Sequence, residues 1–427
     1  MRKIIIFGLL LRLLLLPFSN SHPDVGNHLD WGNRFWQYGP SQFYQSDTWS
    51  VSWPNQPFVT IYLFALLSAL NTWLQATIWW LNITFPFFPS FLVPLLQSGL
   101  HVWLVKLPSI ITDLLSAAII FKLLSRYGRL ALVAAAIYLF NPVTIYNSTI
   151  WGQTDSLISF FSLLSLFLLF RQRYFSAVLI FLFSLTIKVS LIIYSPLLLA
   201  YIRSQRQLLT AAKAALVFFV ALIILSSPFH QFTQIFPWLS SHFLHYVVGR
   251  QGNMLSGNAF NLWYFVSGAD YSVPDTLTFL GLTLKTYGYL LFFGSLLIII
   301  RRLLAIPTFP SLVFALFLTG LSSFLFLTNM HERYLYPPLT LFTLLFAYFP
   351  HLFTLTRYYI FSLVHLLNLY HLWFYPSITS LRSLLLWRQS SAGYFFAVFL
   401  IIFYLYYLLK YLKGEALPST RTTNLSS

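Results

Sequence analysis

The segment His22-Pro23-Asp24-Val25-Gly26-Asn27-His28-Leu29-Asp30-Trp31-Gly32-Asn33-Arg34 gathers two carboxylates, two imidazoles and an indole directly after the first apolar run of the chain. A carboxylate held where a membrane helix meets water can take a proton from a hydroxyl, which suits chemistry on an amphiphilic substrate. Pro23 and Asp24 read as a helix start, the Asp24 side chain accepting backbone N–H groups of the first turn. On a helix over 25–38, Asp24, His28 and Trp31 share one face at i, i+4 and i+7, and Asp30 and Arg34 form an i,i+4 pair on another. Asp30 then has a charge partner and Asp24 is left available, either as a base or as a plain N-cap.

These residues need a scaffold, and composition names its class. The chain has 427 residues, of which 58% are apolar and 8% charged, and no cysteine. Water cannot accommodate so many consecutive apolar runs, so the expectation is an all-α polytopic membrane protein. The net charge of +16 sits in small clusters between apolar runs rather than along one polar face. That is the pattern of topology signals facing anionic lipid, and it argues against a nucleic-acid partner. Without cysteine, disulfides and thiolate metal sites are excluded. Residues 4–18 follow Met1-Arg2-Lys3 like a signal peptide but lack a small-residue cleavage site, and are read as a retained first helix.

Runs of spanning or near-spanning length fall at 4–18, 106–124, 130–148, 156–170, 174–187, 189–202, 211–227, 282–300, 308–329, 335–349, 358–373 and 393–409. Twelve spans put both termini on the cytoplasmic side. With Arg2 and Lys3 inside, sixteen of the 25 Lys and Arg residues collect on the interior face, as the positive-inside rule requires. The acids divide the other way. Asp24, Asp30, Asp47, Asp155, Asp270, Asp275 and Glu332 are exterior, seven of the nine carboxylates, which marks the non-cytoplasmic face as the active side.

The first exterior segment, 19–105, is too long for a connection and too apolar for a soluble loop. A single crossing at 56–81 would invert the charge bias of every later loop, whereas two crossings, with 85–105 as the second, would keep it. The many Trp, Tyr, Asn and Gln residues favour in-plane amphipathic helices. The last exterior group of note, His331-Glu332-Arg333, opens the tenth span, and Lys188 sits at a tight exterior turn with its ammonium within reach of the headgroup plane. Two charges lie inside the bilayer. Arg12 and Asp113 are each about 9–10 Å below the outer surface at 1.5 Å per residue, so an ion pair locking the first two spans together is expected.

With these residues in view, the chain resembles the GT-C superfamily of polyprenyl-phosphate-sugar-dependent glycosyltransferases. The likeness is to dolichyl-phosphate-glucose glucosyltransferases and to GPI-mannosyltransferase-II-like proteins, up to about residue 345. It rests on Asp24 with Trp31 seven residues later, on Trp53-Pro54-Asn55-Gln56-Pro57, on Asn141-Pro142 followed by Trp151-Gly152-Gln153-Thr154-Asp155-Ser156, and on His331-Glu332-Arg333. Each motif alone is weakly specific; their order on one side of the membrane is more so. The family's loop sometimes presents adjacent acids, whereas Asp24 and Asp30 here stand apart, which leaves either as the base, with Asp24 favoured.

The resemblance implies a GT-C-like catalytic module over 1–349; the apolar runs add further transmembrane helices over 350–413, and a disordered cytoplasmic tail is expected over 414–427. The resemblance also implies an inverting transfer of mannose or glucose from a polyprenyl phosphate to a lipid-linked or glycan acceptor. The membrane would be a bacterial or archaeal plasma membrane, or the endoplasmic reticulum in a eukaryote. Asp24 would be the general base; His331 and Arg333, with Lys188 and Arg250 as alternatives, would meet the phosphate; His28, Asp30, Trp31, Asp155 and Glu332 would complete the substrate site. No cofactor is expected beyond the lipid-phosphate substrate. Divalent metal is not excluded, since exterior Asp and His residues are numerous, but no His-x-x-x-His or Asp-x-Asp spacing supports it. The rivals are a flippase or transporter of lipid-linked oligosaccharide, which calls for mid-bilayer charges along a path and internal repeats, and an O-antigen-type polymerase.

Overall fold

A computed structural model describes residues 1–19, 22–46, 48–249, 252–268, 270–387 and 391–414. Helices α1 (Arg2–Leu15), α2 (Pro23–Tyr38), α3 (Phe58–Thr84), α4 (Leu92–Leu123), α5 (Arg129–Leu139), α6 (Asp155–Phe170) and α7 (Tyr174–Ile187) make up the first half. The second half holds α8 (Ser195–Ser204), α9 (Leu208–Ser226), α10 (Leu284–Ala305), α11 (Phe309–Phe326), α12 (Tyr336–Tyr348), α13 (Leu355–Tyr370), α14 (Thr379–Leu386) and α15 (Ser391–Leu412). Among the described residues the sheet is limited to one antiparallel pair, Thr278–Phe279 with Leu282–Thr283.

Every one of the twelve apolar runs is largely helical. By length and apolarity, six helices among the described residues can cross a membrane, or up to eight if each of two bent pairs is one span; α6, α7 and the run Val189–Ser204 are shorter. The protein is thus an all-α, membrane-embedded chain. A helix apolar all round belongs in an interior, and α11 and α12 fill that place: all thirteen residues of α12 are buried. In α9 only Ala211, Ala214 and Ser226 are buried, as for a helix at the periphery of a bundle.

Three expectations are corrected by the helices themselves. The run expected to begin at 106 begins at Leu92, because residues 92–105 carry no charged side chain to interrupt the apolar pattern. Residues 56–81, read as in-plane, lie mostly in α3, which forms a hairpin with α4 fastened by Gln75 Nε2 donating to Leu96 O at 3.3 Å; each arm is long and apolar enough to cross a membrane. Third, α2 is capped by His22, whose Nδ1 accepts the Asp24 N–H at 3.1 Å, so the Asp24 carboxylate is not the cap. α6 has Thr154 at its N-cap position, and Asp155 in its first turn pairs with Lys188. The expected tail falls almost wholly on 415–427, outside the described residues.

α2 turns 88° from α1, so the two cannot both run along a membrane normal. The corner is fixed by Lys106, whose Nζ donates to Ser19 Oγ at 2.9 Å and to Ile150 O at 2.8 Å. One buried ammonium thereby ties the exit of α1, the body of α4 and the turn before α6. Deeper, Arg12 Nη2 meets Asp113 Oδ2 at 3.0 Å with both side chains fully buried, the ion pair expected from their matched depths. Tyr336 and Tyr138 donate to Asp113 Oδ1 at 2.6 and 3.2 Å, and Arg12 Nη1 donates to Leu139 O at 3.0 Å. A charge removed from water is costly unless it is paired and hydrogen-bonded in this way.

Candidate active site

Between α2 and the segments that begin α6 and precede α12, a cavity of about 540 Å³ opens, with Asp24, His28 and Trp31 on one side and Asp155, Lys188 and Arg333 on the other. α2 supplies the first three on one face, as the i, i+4, i+7 spacing requires, with His28 and Trp31 buried and Asp24 partly open. His28 stacks on Phe64 at 4.2 Å between ring centres, and Trp31 Nε1 donates to Ser52 O at 2.8 Å, so both rings are held by the loop and helix that follow α2.

The opposite wall begins with the turn 141–156. Asn141 Oδ1 accepts the Val143 N–H at 2.8 Å and starts a short helix at Pro142. The chain then closes on Gly152, which has φ +90°; a Cβ there would lie 2.8 Å from both Lys106 Cγ and Val25 Cγ2. Glycine meets both demands, a left-handed backbone and a close approach. Just past it, the Gln153 carbonyl accepts from Ser109 Oγ at 2.6 Å, and its side-chain amide donates to the Asp24 carboxylate.

Asp24 faces four basic side chains, Arg333, His22, His28 and His331, but only one lasting charge. Arg333 Nη1 stands 3.6 Å from Asp24 Oδ2, and His22 Nδ1 also 3.6 Å. The sequence reading that Asp24 lacks a cationic neighbour is therefore corrected: the neighbour comes from a segment some three hundred residues away, out of reach of any helix-periodicity argument. Burial pulls the Asp24 carboxyl upward, but Arg333 first and the nearby histidines after it hold it at about 2. Burial drives His22 to about 4 and His28 and His331 to about 3, so these imidazoles are neutral at pH 7 and the guanidinium is the effective counter-charge.

Arg333 also donates to Glu332 Oε1 at 3.1 Å. Burial opposes its charge, yet the two carboxylates outweigh that and raise its pKa. For Glu332 burial wins, and its carboxyl rises to about 7. Beside this group, Lys188 Nζ lies 2.7 Å from Asp155 Oδ1 and 5.0 Å from the centre of the Tyr334 ring. Lys188 thus turns into the cavity rather than toward headgroups, because a buried carboxylate awaits it. Asp24, with 27% of its side chain exposed, is more open than Arg333 at 16% or Asp155 at 1%, so a ligand in the cavity reaches it directly.

The other expected site residues divide. Glu332 backs Arg333, and His331 packs on Tyr334 at 5.6 Å, tight against Gly257, where a Cβ would come 2.7 Å from its Nδ1. Neither lines the cavity itself. Asp30 does not belong to the site: it binds Arg34 at 3.3 Å, the Ser50 N–H at 2.9 Å and Ser50 Oγ at 2.8 Å, fastening the loop after α2. Arg250 lies outside the described residues.

Sequence reasoning gave no role to Gln153, Gln56, Asp275 or Lys285, all of which line the cavity. Gln153 and Gln56 stood inside quoted motifs, and Asp275 among the exterior acids; each carried a signal that a role could have been attached to. Asp275 Oδ2 meets Lys285 Nζ at 3.3 Å and accepts from Thr328 Oγ1 at 3.0 Å. Among the described residues no three His, Asp or Glu side chains converge closely enough to hold a metal ion.

Such a cavity, with a partly open carboxylate opposite a guanidinium and an ammonium, can hold an anionic group beside a hydroxyl. The molecule is an all-α, membrane-embedded protein with a cavity lined by charge-paired side chains at one end of its bundle. No family model matches the chain, and no curated protein does.

Proposed function

We propose that this protein is an inverting glycosyltransferase of the membrane, moving a hexose, mannose or glucose, from a polyprenyl phosphate to a lipid-linked or glycan acceptor on the non-cytoplasmic face. In this reading the chain is GT-C-like, with about twelve membrane helices. The observation that carries the reading is the approach of Arg333 to Asp24 in a cavity that also presents Lys188.

The donor phosphate competes with Asp24 for Arg333. An arginine fork and a lysine point charge together match a phosphodiester, and their engagement leaves the Asp24 carboxylate less neutralised. A base held at about 2 is a weak one, so its strengthening on donor binding couples proton abstraction to the presence of the leaving group. Asp24 accepts the proton of the acceptor hydroxyl, the hydroxyl oxygen bonds to the anomeric carbon, and the bond from that carbon to the phosphate oxygen breaks. Polyprenyl phosphate leaves with the electron pair, steadied by Arg333 and Lys188. Glu332 and Asp155 position the two cations, and His28, Trp31 and Gln56 offer a ring face and polar groups to the sugar.

The test is transfer by the purified full-length chain, given polyprenyl-phosphate-mannose and polyprenyl-phosphate-glucose separately, with Asp24→Asn as control. Transfer of one sugar by the wild type and not by the variant supports the reading. Absence of transfer with either donor, together with passage of lipid-linked glycan across vesicles, would falsify it in favour of a transporter.

A further inference from the structure

At the end of the bundle away from the candidate active site, a second cavity of about 390 Å³ is lined by Lys122, Arg171 and Arg173 with Ser125, Phe121 and Phe167. Two helices measure its distance from the first. α4 carries Lys106 near the active site and Lys122 at its last turn; α6 carries Asp155 in its first turn and is followed by Arg171 at its C-cap. Each pair is separated by sixteen residues, roughly 24 Å of helix, close to the thickness of a hydrocarbon core. The two cavities therefore lie at opposite ends of the bundle, about the thickness of a hydrocarbon core apart.

The pocket is built by a tight turn. Gln172 has φ +57°, and the Arg173 N–H returns to Leu168 O at 2.8 Å, so the chain reverses between α6 and α7 with an arginine on either side of the reversal. Lys122 faces them from the end of α4. Among the described residues none of the three cations makes an ion pair. Among the described residues no carboxylate pairs with them: Asp113, the acid carried by α4, is held by Arg12. Three cations that converge without a carboxylate call for an anion from elsewhere.

We infer that this cavity binds the phosphate headgroup of an anionic membrane lipid, with Lys122, Arg171 and Arg173 on the phosphate and Phe121 and Phe167 against the start of its acyl chains. Charge complementarity and position select that occupant: the pocket is at the surface where the positive-inside rule places anionic lipid, and basic pockets between transmembrane helices suit such headgroups. Diffuse attraction alone needs no cavity. The inference is independent of the proposed glycosyl transfer.

Full-length protein in zwitterionic detergent is titrated with phosphatidylglycerol, with phosphatidylcholine of the same acyl chains and with inorganic phosphate, and retained ligand is read by native mass spectrometry. The expected result is at least about fivefold tighter retention of phosphatidylglycerol than of phosphatidylcholine. Lys122→Gln/Arg171→Gln/Arg173→Gln brings it to the phosphatidylcholine level, while Arg203→Gln/Arg206→Gln/Lys213→Gln, at the same end, keeps it within about twofold. Equal losses in both triple variants, equal retention of the two lipids, or binding of inorganic phosphate alone overturns the proposal. Should the first triple variant not fold, Arg171→Gln and Arg173→Gln made singly give the same reading: each must weaken phosphatidylglycerol and leave phosphatidylcholine unchanged.

Discussion

Arg12 and Asp113, a hundred and one residues apart in sequence, meet at 3.0 Å with neither side chain exposed. The pair joins α1 to α4 directly beneath the corner that sets Asp24, and Thr144 adds its hydroxyl oxygen 3.3 Å from Arg12 Nη2. The scaffold of the candidate site is therefore anchored by an ion pair rather than by apolar contact alone. Removing one partner leaves the other charge buried, a loss of about 3–5 kcal/mol. Asp113→Asn and Arg12→Leu are each expected to destabilise the protein by that order, and the double variant by clearly less than their sum. Denaturation in detergent measures all three, and simple additivity would rule out the coupling.

Asp24→Asn should leave the fold intact, because asparagine keeps a carbonyl oxygen for the Gln153 amide. Loss of a general base costs about 10²- to 10⁴-fold in rate. The expected outcome is that loss in transfer with little change in melting temperature; transfer within a few-fold of wild type would remove Asp24 from the chemistry.

Arg333→Lys retains the charge but not the fork, and it withdraws a donor from Glu332. Donor KM should rise by about tenfold or more, as for one lost charge-assisted hydrogen bond. A steady-state comparison at fixed acceptor concentration checks this, with an unchanged donor KM as the contrary result.

Glu332 gives the pH dependence its sign. Its folded-state carboxyl sits near 7 against an ordinary 4.5, so between those values the folded chain keeps a proton that the unfolded chain has released. Its contribution to stability falls as pH rises through that window. Ionised Glu332 also neutralises Arg333 more fully, so donor KM should climb above pH 7. Glu332→Gln should flatten both profiles. Asp24 acts oppositely: with its carboxyl lowered to about 2, its stabilisation is present above the ordinary 3.8 and is lost as pH falls through 2.

Gly152→Ala tests the turn that aims Gln153. A non-glycine residue at φ +90° with Cβ contacts of 2.8 Å should cost about 1–3 kcal/mol and draw the Gln153 amide away from Asp24. Reduced thermal stability together with reduced transfer is expected. A variant of wild-type stability would mean that the turn tolerates the methyl group.

The sequence by itself determined the features that depend on neighbours along the chain or on depth. Apolar runs specified helices because a buried backbone must satisfy its own hydrogen bonds. A 3.6-residue period put Asp24, His28 and Trp31 on one face, and equal depth below the surface matched Arg12 with Asp113. Tertiary structure alone decided which segments approach each other. It set Arg333 against Asp24 and Lys188 against Asp155, and it gave Asp30 to Ser50 instead of to the cavity. Helical periodicity relates residues within a few turns, whereas these contacts depend on how separate helices pack, and packing is a property of the whole interior rather than of any one stretch.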